Sequence, residues 1–267
     1  MNPSGGACLA NNILIISDIH ANLAALQAAV ADFTTQAGKP AAVWCMGDIV
    51  DYGAEPNEVI AMLQEYPTIC VAGNHELAVL GQEEVAMFNP DARKCVAWTQ
   101  QHLNADSFTY LRGLPRHITV ATDNADFTLA HGSPRDPVWE YLLASEEAAD
   151  NFIVMETTHG LIGHSHLPLF FKMIQLDKKT AGVGRALGEH DDVLKVGNYQ
   201  TDERLLVNPG GLGQPRNGDP RASYIIYDTE AATMRYRRVA YDIKATQAKI
   251  RAASLPERFA RRLERGT

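Results

Sequence analysis

Five short stretches of this sequence gather the residue types that hold divalent cations. They are Asp18-x-His20, Gly47-Asp48, Gly73-Asn74-His75, His131-Gly132 and Gly163-His164-x-His166, and they take five of the nine histidines. Carboxylate, amide oxygen and neutral imidazole suit Mn, Fe or Zn, and no thiolate stands among them. On an extended chain, residues two apart point the same way. Asp18 and His20 can then grip one ion together, and His164 and His166 can do likewise. An aspartate such as Asp48 can bridge two ions through its two oxygens, while adjacent glycines leave backbone room. Taken singly, D-x-H, G-D or H-G is ordinary turn chemistry, and G-N-H-E is a loop with a capping asparagine. Five such clusters at the ends of apolar strands are more than turns require, because strand ends are where parallel sheets bind ligands.

The elements that must position them follow from hydrophobic periodicity. Residues 13–17 (ILIIS) read as a buried strand, and 22–36 as a helix with Asn22 at its N-cap and Leu23, Leu26, Val30 and Phe33 on one face. AAVWCMGD (41–48) repeats the strand, PNEVIAMLQEY (56–66) the helix, and TICVAGNHE (68–76) the strand again. Three such units predict a parallel sheet with side chains gathered at its carboxyl ends. A helix is expected over 90–112. Strands are expected at 117–122, 126–133, 158–166, 169–175, 205–211, 223–228 and 234–241, with a helical insert around 136–156. Residues 177–203, polar and glycine-containing, read as hairpin loops of little core value. The whole, 1–267, reads as one α/β domain, its two β regions face to face with helices outside. Residues 1–11 are expected to be flexible and 243–267 to form a helical tail.

Composition bounds the partners. The chain has 267 residues, 46% hydrophobic and 21% charged, with a formal charge of -8. That balance carries no strong nucleic-acid signature, although bound cations would make a local positive site. Cys8, Cys45, Cys70 and Cys95 form no C-x-x-C pair, and Cys45 and Cys70 lie in apolar runs as reduced thiols. The N-terminus does not read as a secretory signal, and no apolar run approaches the roughly 20 residues of a membrane span. A cytoplasmic, non-membrane protein is the expectation.

The five clusters together resemble the calcineurin-like metallophosphoesterases. The pattern D-x-H, G-D, G-N-H-[DE], H, G-H-x-H is complete from Asp18 to His166, and NPGG (208–211) is similar to the family's closing NPGS, with Gly211 in place of serine. The resemblance implies a four-layer α-β-β-α sandwich, two mixed sheets flanked by helices, with two divalent metal ions between the sheets. Mn²⁺ is favoured; Fe, Zn, Ni, Co and Mg are alternatives. It further implies that Asp18, His20 and His166 hold one ion, Asn74, His131 and His164 the other, and that Asp48 bridges. His75 would face the substrate as general acid or phosphoryl stabiliser, and a hydroxide shared by the ions would attack in line. A non-catalytic scaffold on this fold is the alternative of another class, but the chain retains His75 and all seven ligand positions.

Substrate type is read from fewer residues. The serine/threonine phosphatases of the superfamily carry G-D-x-x-D-R-G, whereas this chain has Tyr52 at the arginine position. Loss of a bidentate guanidinium argues against a phosphoprotein monoesterase. The chain looks more like the family's small prokaryotic phosphodiesterases and dinucleoside-polyphosphate hydrolases, with a small phosphoester or nucleotide as substrate. Asn74, His75, Tyr52, Arg135 and Arg216 are the candidate substrate contacts. Trp139 and Tyr141 are available to stack on a base, though on a helix residues two apart cannot both face one pocket. The basic tail reads as a solvated helix face or a homo-oligomer contact.

Overall fold

Strand β1 (Asn12–Ile16) is buried on both faces, which explains its unbroken apolar run. Leu14 and Ile16 face helices, whereas Ile13 and Ile15 face a second sheet. The computed structural model describes residues 12–83, 85–175, 181–196 and 203–267; the expected flexible segment 1–11 lies outside them. From β1 the chain runs through α1 (Leu23–Ala37), β2 (Ala42–Cys45), α2 (Pro56–Gln64), β3 (Thr68–Cys70), α3 (Asn74–Val79), α4 (Pro90–His102) and α5 (Ala105–Arg112). It continues through β4 (His117–Ala121), β5 (Asp126–Ala130), α6 (Ser145–Val154), β6 (His159–Leu161), β7 (Pro168–Gln175) and β8 (Ala181–Leu187). β9 (Val193–Lys195), β10 (Glu203–Pro209), β11 (Ala222–Asp228), β12 (Thr233–Val239), α7 (Ile243–Ala252) and α8 (Glu257–Leu263) complete it.

Among the described residues the strands form two mixed sheets of six. One is ordered β3-β2-β1-β11-β12-β9 and the other β4-β5-β6-β10-β7-β8. β1, β2 and β3 are parallel, as the three strand–helix units predict, while β11 joins β1 antiparallel with Ile15 opposite Ile225. The sheets pack on each other through Ile15, Trp44, Phe127, Val207, Ile225 and Tyr227. Phe127 is fully buried there, and cutting it to alanine would cost about 3–5 kcal/mol. Leu142, Phe152, Leu169 and Leu206 build a smaller core beyond the second sheet. The four-layer sandwich is therefore the observed architecture.

Four expectations change in detail. The helix over 90–112 is two helices, because Asn104 accepts the Ser107 N–H at 2.7 Å and starts α5 anew. The insert is helical only from Ser145, so residues 131–144 form a turn-rich loop. Within 177–203, β8 and β9 extend the sheet edges; β8 is largely exposed and glycine-rich, which erases its apolar signal, and residues 177–180 and 197–202 of that stretch lie outside the description. The tail is two helices broken at Ser254–Pro256. Ile250, Leu255, Phe259, Ala260 and Leu263 join the same core as α1, so the tail is docked rather than solvated all round.

Candidate metal centre

The site is assembled by backbone in an unusual conformation. Asp18, His20, Asp48, His164 and His166 all have φ between 48° and 63°. Their pairing therefore does not come from the pleat of an extended strand, as spacing alone suggests, but from left-handed turns just beyond the strands. Each such non-glycine residue costs on the order of 1–2 kcal/mol, a strain typical of functional loops. The surrounding hydrogen bonds hold it. Asp18 N–H donates to Gly47 O at 3.0 Å, His20 N–H to Asp48 O at 2.9 Å, and Gly163 N–H to His131 O at 2.7 Å. Glu76, buried at the start of α3, accepts from the N–H groups of Asp48, Ile49, Val50 and Gly73 at 2.7–3.1 Å. Gly73 has to be glycine, since a Cβ there would lie 2.1 Å from Asp48 Oδ1.

These loops bring the seven expected side chains together in two overlapping groups. Ligand atoms of Asp18, His20, Asp48 and His166 lie within 4.8 Å of one another, and so do those of Asp48, His131 and His164. Asn74 Oδ1 stands 3.1 Å from His131 Nε2, completing the second group. Asp48 belongs to both. Three imidazoles are oriented the way metal ligands are, each with Nδ1 against a backbone carbonyl. His20 meets Val50 O at 3.2 Å, His131 meets Met46 O at 2.7 Å and His166 meets Gln214 O at 2.6 Å. An Nδ1–H donated to a carbonyl leaves the Nε2 lone pair free, and those Nε2 atoms converge.

The residues fit a cation, and two observations say so. Both oxygens of Asp18 are buried without a hydrogen-bond partner. Unpaired buried carboxylates are costly, and burial pushes the Asp18 carboxyl up to about 7 in the absence of a counterion. Secondly, burial holds His20, His164 and His166 well below the usual imidazole range, so they are neutral and able to ligate. His131 goes the other way: burial opposes its charge, but Asp48 Oδ2 at 3.2 Å raises it to about 9. A proton there occupies the role a cation would take.

His75 stands apart from the ligands. Its Nδ1 lies 2.5 Å from Asp51 Oδ2, its ring packs against Tyr52 and Phe88, and Nε2 sits 3.9 Å from Asp48 Oδ2. Burial works against its positive charge, yet Asp48 and Asp51 together raise its pKa. Asp51 and Glu76 were not singled out from sequence, although both stand inside quoted motifs, GDIVD and GNHE. A carboxylate three residues after Asp48 and another beside His75 were the available signals.

A cavity of about 340 Å³ opens over this cluster. Asn74, His75, Tyr52 and Arg216 line it, so four of the five candidate substrate contacts share one space. Arg135 does not line it; it is bound to Glu140 and Asp150 on the outside. Trp139 and Tyr141 both do, because their segment is a loop and the helical objection lapses. The tail also reaches the cavity, through Arg258, Phe259 and Arg262, and Phe259 stacks on Tyr52 with centroids 4.3 Å apart. Gly211 is explained by crowding: a Cβ would lie 2.9 Å from His166 Nδ1 and 2.7 Å from Gln214 O.

A model of the calcineurin-like phosphoesterase superfamily domain matches residues 12–232. The chain belongs to that superfamily. This metallophosphoesterase is 34% identical over 252 residues to an uncharacterized protein of Methanocaldococcus jannaschii, covering 94% of this chain and 96% of that one. The crystal structure of a metallophosphoesterase from Sphaerobacter thermophilus is 39% identical with a TM-score of 0.79, covering 96% of this chain and 99% of the other. A hypothetical protein from Pyrococcus horikoshii superposes with a TM-score of 0.76 at 18% identity, over 96% and 98% of the two chains, which speaks for the fold. No helix among the described residues of the metallophosphoesterase is long and apolar enough to cross a membrane.

Proposed function

We propose that the chain is a binuclear-metal-dependent hydrolase of a phosphodiester or nucleotide-type substrate. The observation that carries this reading is the shared carboxylate. Asp48 is common to two convergent groups of ligand atoms, which is the arrangement two ions held side by side demand. Asp18, His20 and His166 would hold one ion, Asn74, His131 and His164 the other. The ions would supply Lewis-acid stabilisation of the phosphoryl oxygens and an activated water.

The chain's own residues do the rest. Asp51 fixes the His75 ring through Nδ1, leaving Nε2 to face the cavity with a proton for the departing oxygen. Glu76 holds the backbone around Asp48, so the bridging carboxylate is set before substrate arrives. Asn208 steadies the Gly163–Ser165 turn, donating to Gly163 O at 2.6 Å. Tyr52, at the position where the serine/threonine phosphatases carry an arginine, is stacked on Phe259 and supplies no guanidinium, which supports a diester over a phosphoprotein.

The same reading takes residues 12–267 as one unit, supported by the tail's place in the core shared with α1. It prefers Mn²⁺, on the oxygen-and-imidazole donor set. It places the protein in the cytoplasm, supported by Cys45 and Cys70 standing in register as free thiols. Hydrolysis of bis(p-nitrophenyl) phosphate and of p-nitrophenyl phosphate, after loading with Mn²⁺, Fe²⁺, Zn²⁺, Ni²⁺, Co²⁺ or Mg²⁺, tests the proposal. The diester is expected to turn over faster. Folded protein that turns over neither with any metal would overturn it.

A further inference from the structure

The docked tail brings charge to the cavity that the metal cluster does not need. Arg262, on α8, donates from Nη1 to Gln214 Oε1 at 2.8 Å, and Arg216 donates from Nη2 to the same oxygen at 3.0 Å. Gln214 is itself buried, and its backbone carbonyl is the one that orients His166. One residue thus joins the ligand cluster to two guanidiniums. Neither arginine pairs with an aspartate or glutamate among the described residues, whereas Arg135, Arg237, Arg238 and Arg251 all do. Nε of Arg216 is buried without a hydrogen-bond partner. In a chain of net charge -8, two half-buried guanidiniums share one neutral acceptor, Arg262 holding the Thr267 oxygen only through Nε, and together they are a site prepared for an anion.

A charge count says which anion. Two divalent ions would bring four positive charges, and Asp18 and Asp48 return two. A shared hydroxide would take one of the remaining two and a monoanionic phosphodiester the other, so the arginines are surplus to the scissile centre. We propose that Arg216 and Arg262, joined through Gln214, form a second anion subsite of the cavity, and that the substrate bears a further phosphate beside the scissile ester. This rests on the phosphoesterase reading. The C-terminal segment, beyond the residues the superfamily model matches, is on this view a specificity element, and the cavity of about 340 Å³ is of a size for a nucleotide-like molecule.

The test compares ligands that differ only by that phosphate, on the Mn²⁺-loaded full chain. Thymidine 5′-(p-nitrophenyl phosphate) is assayed with and without a 3′-phosphate. Binding is read by calorimetry with thymidine 5′-monophosphate against thymidine 3′,5′-bisphosphate, and with adenosine monophosphate against adenosine diphosphate. Wild type should favour the extra phosphate by about 10–10²-fold in kcat/KM or Kd for at least one pair. Arg262→Gln and Arg216→Gln should each remove most of that preference, lowering kcat/KM for the ester with the extra phosphate by about tenfold more than for the plain ester. Arg262→Lys should retain part of it, and Arg261→Gln, on the outer face of α8, should retain all. No preference in wild type for any pair, or equal losses on both esters, would overturn the subsite. An arginine-dependent binding preference without turnover would leave the subsite standing and remove the phosphoesterase reading. Turnover with no arginine-dependent preference would do the reverse.

Discussion

The floor of the cavity and its rim are built on opposite principles. On the floor, Asp18, His20, Asp48, His164 and His166 lie on left-handed backbone, cross-braced by main-chain hydrogen bonds and by Glu76. On the rim, Tyr52 still belongs to the left-handed loop of Asp48, but Trp139, Arg216 and Arg262 come from three other stretches without such backbone. The difference follows from what each must do. Coordination demands atoms placed within tenths of an ångström, so strain is accepted and three backbone carbonyls each fix a ring. An electrostatic grip needs only positive potential at roughly the right place, and any nearby element can supply it.

Removing the shared carboxylate should separate the two most sharply. Asp48→Asn takes away the one side chain common to both ligand groups, leaving charge and geometry wrong for each. Bound metal, measured by elemental analysis after dialysis, should fall for both ions, and turnover should drop by about 10³-fold or more. Two ions retained at full occupancy would show that Asp48 does not bridge. His75→Ala should behave differently. Turnover should fall by about 10²–10⁴-fold with metal content unchanged, because on the proposed mechanism His75 would supply a proton rather than a ligand. Asp51→Asn should follow it at about 10–10²-fold, since it loses only the partner that orients the ring. Metal loss in either variant would move His75 into the ligand set.

The same contrast decides what could be read from sequence. The floor was legible because fixed coordination geometry forces fixed residue types next to fixed glycines: D-x-H, G-D, G-N-H-E and G-H-x-H each name their own loop. The conformation was not legible. Spacing of two suggested an extended pleat, and only the structure shows φ near 50° at Asp18 and His20. The sandwich was legible through its buried strands, but β8, glycine-rich and exposed, had no apolar alternation to declare it. The rim was hardest. Arg262 reaches the cavity because Phe259, Ala260 and Leu263 bury one face of α8, and nothing local in RFARRLERG says which arginine turns inward.

Gly211 tests how tightly floor and rim are joined. Serine is usual at the matching place in the family, yet a Cβ here would press on Gln214 O and on His166. Gln214 carries the carbonyl that orients His166 and the side chain that holds both arginines. Gly211→Ser should therefore cost about 1–3 kcal/mol in urea unfolding and weaken metal affinity by about tenfold. An unchanged affinity would mean that the turn relaxes without disturbing His166, so that floor and rim are less coupled than the shared glutamine suggests.

The smallest expected effect is the most discriminating for the rim. Arg135 follows the candidate ligand His131 by four residues and was a reasonable substrate contact on spacing alone. Its guanidinium is instead held by Glu140 and Asp150, with its backbone N–H on Asn151 Oδ1 at 2.9 Å. Exposed pairs of this kind contribute little, and both carboxylates compete with any incoming phosphate. Arg135→Ala should leave kcat, KM and the preference for an additional phosphate within about twofold of wild type. A clear rise in KM would mean that the loop of residues 131–144 swings its arginine into the cavity when substrate binds. The rim would then be a mobile surface rather than one fixed by the docked tail.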